Sequence, residues 1–170
     1  IRSEAIYALI ALHSGEMLPA LLNDEQNLLA DPDILVRHAA IAAVRRHGGP
    51  GQLQGLLDRL AVESDQDVLA AGRQAFIDIY SKLPAEQMAQ WAHRLVQAPA
   101  DAVNTHALAE QAVAVLAQTI DRTRNAGGTV APDVEAASLE LQADMAMNKQ
   151  QYPQAVSIYA ALLGLEQPDP

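Results

Sequence analysis

Residues 36–44, Val-Arg-His-Ala-Ala-Ile-Ala-Ala-Val, repeat the pattern of residues 1–9, Ile-Arg-Ser-Glu-Ala-Ile-Tyr-Ala-Leu, at an offset of 35 residues. Each copy reads aliphatic, Arg, two free positions, Ala, Ile, one free position, Ala, aliphatic. Spacings of three and four put the matching residues on one stripe of a helix and the free ones on the other side. Self-similarity at this period implies one helix pair per repeat, a unit that buries its apolar face only by stacking on its neighbours. A third copy is weaker: Asp65 and Asp67 follow Asp31 and Asp33 by 34 residues, while Ala75 and Phe76 follow Ala40 and Ile41 by 35. The register therefore slips by one residue.

The first helices of the pairs lie between these copies. Residues 17–30, 51–62 and 85–98 each carry Leu, Met or Trp at helical spacing, and short breaks separate them. Gly48-Gly49-Pro50-Gly51 is the clearest break, because glycine ends a helix and proline cannot continue one. Residues 101–124 form a long linking helix with Ala107, Leu108, Val113, Val115, Leu116 and Ile120 as its apolar content. A loop at 125–133 follows, bounded by Gly127-Gly128 and Pro132. Composition agrees: 50% of the 170 residues are hydrophobic but only 4% aromatic, a mixture suited to helices packed closely through alanine. The expected class is all-α, an α-α superhelix in the form of a right-handed solenoid of antiparallel helix pairs. It divides into helical repeats over 1–98 and, over 99–170, the linking helix with a terminal helix pair, which together read as one continuous solenoid.

The formal net charge is −10. Residues 1–97 carry 8 basic and 12 acidic residues, and residues 98–170 carry 3 and 9. Affinity for nucleic acid depends on neutralising phosphates, so this balance argues against DNA or RNA as a partner. It also argues against anionic membrane surfaces. No apolar run approaches the roughly 18 residues of a spanning helix. With no cysteine, disulfides, thiolate catalysis and cysteine metal sites are excluded. The first residue is Ile, which suggests a fragment of a longer protein. The compartment stays open between bacterial cytoplasm and periplasm.

The stretch Asp31-Pro-Asp-Ile-Leu-Val-Arg37-His-Ala-Ala-Ile-Ala-Ala-Val44 resembles the HEAT-repeat family, particularly its short bacterial form. That family places an Asp six positions before an Arg at the start of the second helix, followed by Ala and aliphatic residues. The resemblance covers residues 1–98 and implies that Asp31, Asp33 and Arg37 belong to a staple between repeats, with Arg2 as the equivalent Arg of a preceding copy. In the third unit Asp65 remains, but Ala71 stands where the Arg belongs. Residues 136–170 resemble a tetratricopeptide repeat, with Ala143 and Ala155 at the small positions and Leu139, Tyr152 and Tyr159 at large ones. Ala146 and Leu162 depart from that pattern. Asp144 stands where peptide-carboxylate clamps of that family carry Asn, and its charge would repel a carboxylate.

The sequence carries no pattern of a catalytic residue, cofactor site or metal ligand set. The histidines His13, His38, His47, His93 and His106 form no HExxH and no pair at i, i+4. Asp31 and Asp33 begin a calcium loop's spacing without its Gly or closing Glu. Gly48–Gly51 lacks the Lys-Ser/Thr ending of a phosphate loop, and no Gly-x-Ser-x-Gly occurs. The face left free by the repeats carries Ser3, Glu4, Tyr7 and Ile10 in one copy and His38, Ala39, Ala42 and Arg45 in the other. Aromatic residues and Arg dominate interface energetics, so Tyr7, His38 and Arg45 are the candidate protein-binding surface. The expected function is non-catalytic protein–protein interaction, with a protein or peptide partner, in a larger bacterial protein. The alternatives are a regulatory or substrate-binding arm of an enzyme of the HEAT-like lyase class and, disfavoured by charge, a HEAT-like DNA glycosylase.

Overall fold

The computed structural model describes Leu18, residues 27–99 and residues 103–165. Among these residues lie seven α-helices and no strand: α1 Ile34–His47, α2 Leu53–Val62, α3 Gln66–Tyr80, α4 Ala85–Val96, α5 Val103–Asn125, α6 Pro132–Asn148 and α7 Tyr152–Leu165. The all-α expectation is met. Most of the helix expected at 17–30 lies outside the described residues. Its end, Leu28–Ala30, is a single 3-10 turn. The chain divides into two compact units, Ile1–Lys82 and Leu83–Pro170.

In the first unit local chemistry sets each helix end. The Asp33 carboxylate accepts from the Leu35 N–H at 2.9 Å and so caps α1. Asp65 caps α3 by accepting from the N–H groups of Asp67 and Val68, each at 3.0 Å. These bonds satisfy donors that the first turn of a helix leaves unpaired. At the other end of α1 the Gly48 N–H donates to the Val44 carbonyl at 2.7 Å. A Cβ on Gly48 would collide with that same carbonyl oxygen, so glycine is needed here for space. Pro50 then opens the 3-10 turn that leads into α2.

Helix α3 packs against both α1 and α2, and α1 also packs against the Leu28–Ala30 turn. At Gly72 of α3 the three helices meet tightly: a Cβ there would stand 2.8 Å from Leu60 Cδ2 of α2 and 3.6 Å from Ile41 Cδ1 of α1. Around it Leu53, Leu56, Leu69, Phe76 and Tyr80 are fully buried. The rings of Phe76 and Tyr80 stack at 6.1 Å. Because α1 has a neighbour on two sides, its buried band is wider than the repeat pattern suggests. Ala39, read from the sequence as part of the free face, is completely buried.

In the second unit α4 packs on α5 and on α6, and α6 packs on α5 and α7. Residues 101–124, expected as a linking helix, are thus a full packing partner of α4 from Val103 onward. Leu108, Val113, Leu116 and Ile120 are buried as their spacing predicts, whereas Ala107 is exposed. Ion pairs at opposite ends of α5 and α6, Arg124 with Glu135 and Lys149 with Glu110, both at 2.9 Å, fix the two helices as antiparallel. Helix α5 ends in a left-handed Gly127, with the Gly128 N–H donating to the Thr123 carbonyl at 2.9 Å. Helix α6 ends the same way without a glycine. Gln150 takes φ 60°, and the Gln151 N–H donates to the Ala146 carbonyl at 2.8 Å. Ala143 and Ala155, both at 0% exposure, form the seam of the α6–α7 hairpin.

Candidate functional site

Of the three surface candidates, Tyr7 lies outside the described residues. His38 and Arg45 are both on α1, two turns apart and hence on one face. His38 is half-buried. Arg45 is exposed, and its Nε donates to the Asp78 Oδ2 of α3 at 2.5 Å. The same carboxylate accepts from Gln74 through Oδ1 at 2.7 Å. Partial burial alone would raise the Asp78 pKa, but the bonds from Gln74 and Arg45 and the charges of Arg45 and Lys82 outweigh it and hold the carboxyl below its ordinary range. Arg45 therefore joins two helices as well as facing solvent.

The strongest polar cluster was not expected from the sequence. Glu63, between α2 and α3, has a side chain only 1% exposed. Arg37 of α1 grips it in a fork, Nε to Oε2 at 2.9 Å and Nη2 to Oε1 at 3.1 Å. Arg59 of α2 donates to Oε2 through Nε at 3.0 Å and Nη2 at 2.7 Å. The N–H groups of Ser64 and Asp65 each donate to Oε1 at 3.0 Å. Burial by itself pushes a carboxylate pKa up. Here the Asp65 amide, the two guanidiniums and the Ser64 amide more than offset it, and the pKa falls from 4.5 to about 2.

Arg37 is held by more than Asp31. Arg37 does reach Asp31, but through Nη1 to the backbone carbonyl at 2.9 Å, with the Pro32 carbonyl at 3.2 Å. Its ion pair is with Glu63. The Asp31 carboxylate accepts from the Asp33 N–H at 2.9 Å. With both oxygens of Glu63 saturated by donors, the cluster locks α1 to the α2–α3 junction.

Among the described residues, no group of three His, Cys, Asp or Glu is placed to hold a metal ion, and no helix is long and apolar enough to cross a membrane. His93 pairs with Gln97 on the surface of α4. His106 lies on the wall of a cleft of about 490 Å³ with Glu110, Met145 and Lys149. A further cleft of about 280 Å³ runs between α5, α6 and α7, lined by Ala117, Ile120, Leu139 and Ala161 with the Arg124–Glu135 pair at its edge.

Among the described residues, the exposed large apolar side chains of the second unit lie on α7, with Met147 of α6 the one exception. Ala155 and Leu162 are buried, while Tyr152, Val156, Tyr159 and Leu163 stand exposed beside them. The tyrosine hydroxyl of residue 159 donates to Asp144 Oδ1 at 3.2 Å. Desolvation, that bond and the Asp144 and Glu140 charges all push the Tyr159 pKa up. Tyr152 and Tyr159, at large positions of the resembled repeat, thus sit at the rim of the hairpin. The 4-3-4 spacing of these residues was the available signal, masked because every other residue of α7 is also uncharged.

Among the described residues, these elements define an all-α protein. Compared with known proteins, the chain matches no family model, no curated protein and no solved structure.

Proposed function

We propose that this chain is a non-catalytic protein–protein interaction scaffold, a segment of an α-α solenoid of HEAT-like and tetratricopeptide-like helix pairs within a larger bacterial protein. The observation that carries the reading is the packing order inside each unit. Helix α3 rests on α2 and on α1, and α6 rests on α5 and on α4. Contact of a helix with both its neighbour and its next-but-one neighbour is what stacked helix pairs require, and such stacks present extended surfaces to partners. The acidic balance, −10 over 170 residues, supports a protein partner over a nucleic acid.

On this reading the α1 face carrying His38 and Arg45 contacts the partner, with Arg45 as the anchor. The test is affinity capture with the whole chain as bait, run in parallel with Arg45→Glu and with Arg45→Gln. Arg45→Gln controls for the charge reversal beside Asp78, and circular dichroism controls for folding. A protein retained by the wild type and released by both folded variants supports the reading. Capture that is identical for all three baits counts against this face.

A further inference from the structure

We propose that the outer face shared by α6 and α7 is a docking site for an amphipathic helix of another protein, one whose apolar stripe is bordered by Lys or Arg. This rests on the protein-binding reading above and names a surface and a partner chemistry that it does not supply. Tyr152, Val156, Tyr159 and Leu163 are 55%, 67%, 38% and 61% exposed. Their spacing of four, three and four residues puts them on one stripe of α7. Met147, 45% exposed near the end of α6, follows Asp144 by three residues on the same side of that helix. Contiguous apolar surface of this kind is uncommon on a monomer and marks an interaction site. Anchors at i, i+4, i+7 and i+11 span roughly 16 Å, the length that one partner helix of three to four turns covers in a helix-in-groove contact.

The charge around the stripe selects the occupant. Residues 150–165 contain no charged side chain. The neighbouring exposed ridge of α6 carries Glu140 and Asp144, and the Tyr159–Asp144 hydrogen bond puts that ridge against the stripe. Neither acid forms an ion pair among the described residues, whereas Glu135 is paired with Arg124 and the single lysine of this hairpin, Lys149, is paired with Glu110. An apolar strip with an uncompensated acidic border is complementary to a basic amphipathic helix. A second copy of this chain is a poor occupant, since it brings the same acids and the same net charge of −10 toward each other.

The experiment uses the whole chain and a fluorescein-labelled 18-residue helical peptide with a leucine stripe bordered by lysines. The control peptide has glutamate at every lysine position. Anisotropy titration is expected to give at least tenfold tighter binding of the lysine peptide. Val156→Asp, with helicity unchanged by circular dichroism, is expected to weaken it at least tenfold. The double variant Glu140→Lys with Asp144→Lys is expected to invert the preference, and it serves as the second probe if Val156→Asp perturbs folding. Equal binding of the two peptides, no saturable binding, or indifference to both variants overturns the proposal. So does sedimentation showing a dimer that Val156→Asp dissolves. If the peptide fails while a captured protein still depends on Arg45, this face is wrong and the scaffold reading stands.

Discussion

Replacing Glu63 by Gln keeps the shape of the side chain and removes the charge that holds three segments together. Arg37 and Arg59, with side chains only 11% and 19% exposed, then lose the anion that compensates them. Lowering the Glu63 pKa from 4.5 to about 2 corresponds to about 3 kcal/mol of native-state stability, at ~1.36 kcal/mol per pKa unit. Loss of one partner of a buried pair costs a similar amount, about 3–5 kcal/mol. Because the folded-state pKa is depressed, this stability is fully present above about pH 4.5 and is lost as the pH falls through about 2. The difference between wild type and Glu63→Gln is therefore about 3 kcal/mol at pH 7 and shrinks toward zero near pH 2. Comparing the two proteins at each pH cancels the other titrating carboxylates. Trp91 lies in the second unit, so its fluorescence is the wrong probe. Urea-dependent hydrogen exchange of the α1–α3 amides reads the correct unit. A difference below about 1 kcal/mol at pH 7, or one that does not change with pH, refutes the assignment of Glu63 as the lock.

Three further substitutions test the packing and the caps. Gly72→Val forces a branched side chain into the space held by Leu60 and Ile41 and is expected to destabilise the first unit by about 1–3 kcal/mol in urea denaturation. Asp65→Ala removes the acceptor for the Asp67 and Val68 amides and is expected to cost about 1 kcal/mol, read as earlier exchange at the start of α3. Gln150→Gly relieves a left-handed residue at the α6–α7 turn and is expected to stabilise the second unit by about 1 kcal/mol, raising the midpoint followed by Trp91 fluorescence.

Helices were legible wherever apolar spacing and a strong terminator coincide. Gly48 and Gly127 stop α1 and α5 where the sequence places breaks, and Leu108, Leu116 and Ile120 are buried as their periodicity indicates. Alanine was legible only in part. Ala143 and Ala155 sit in a helix seam as expected, but Ala39, assigned to the free face, is buried and Ala107, assigned to the apolar content of α5, is exposed. A methyl group is compatible with either setting, so neighbours in space decide. The Glu63 cluster was out of reach because Arg37 meets its partner across 26 residues of sequence. The family-like Asp at position 31 drew the assignment, yet it contributes a carbonyl where a carboxylate was expected. The end of α6 carried no glycine signal, because Gln150 takes the left-handed position itself.

On the proposed function, the free helical faces of this chain hold another protein. The most direct measurement is calorimetric titration of the purified whole chain with the purified protein recovered by capture. Saturable binding at a fixed stoichiometry is expected, weakened at least tenfold by Arg45→Glu or by Val156→Asp. Absence of binding between the purified components, or binding that neither substitution alters, would contradict it.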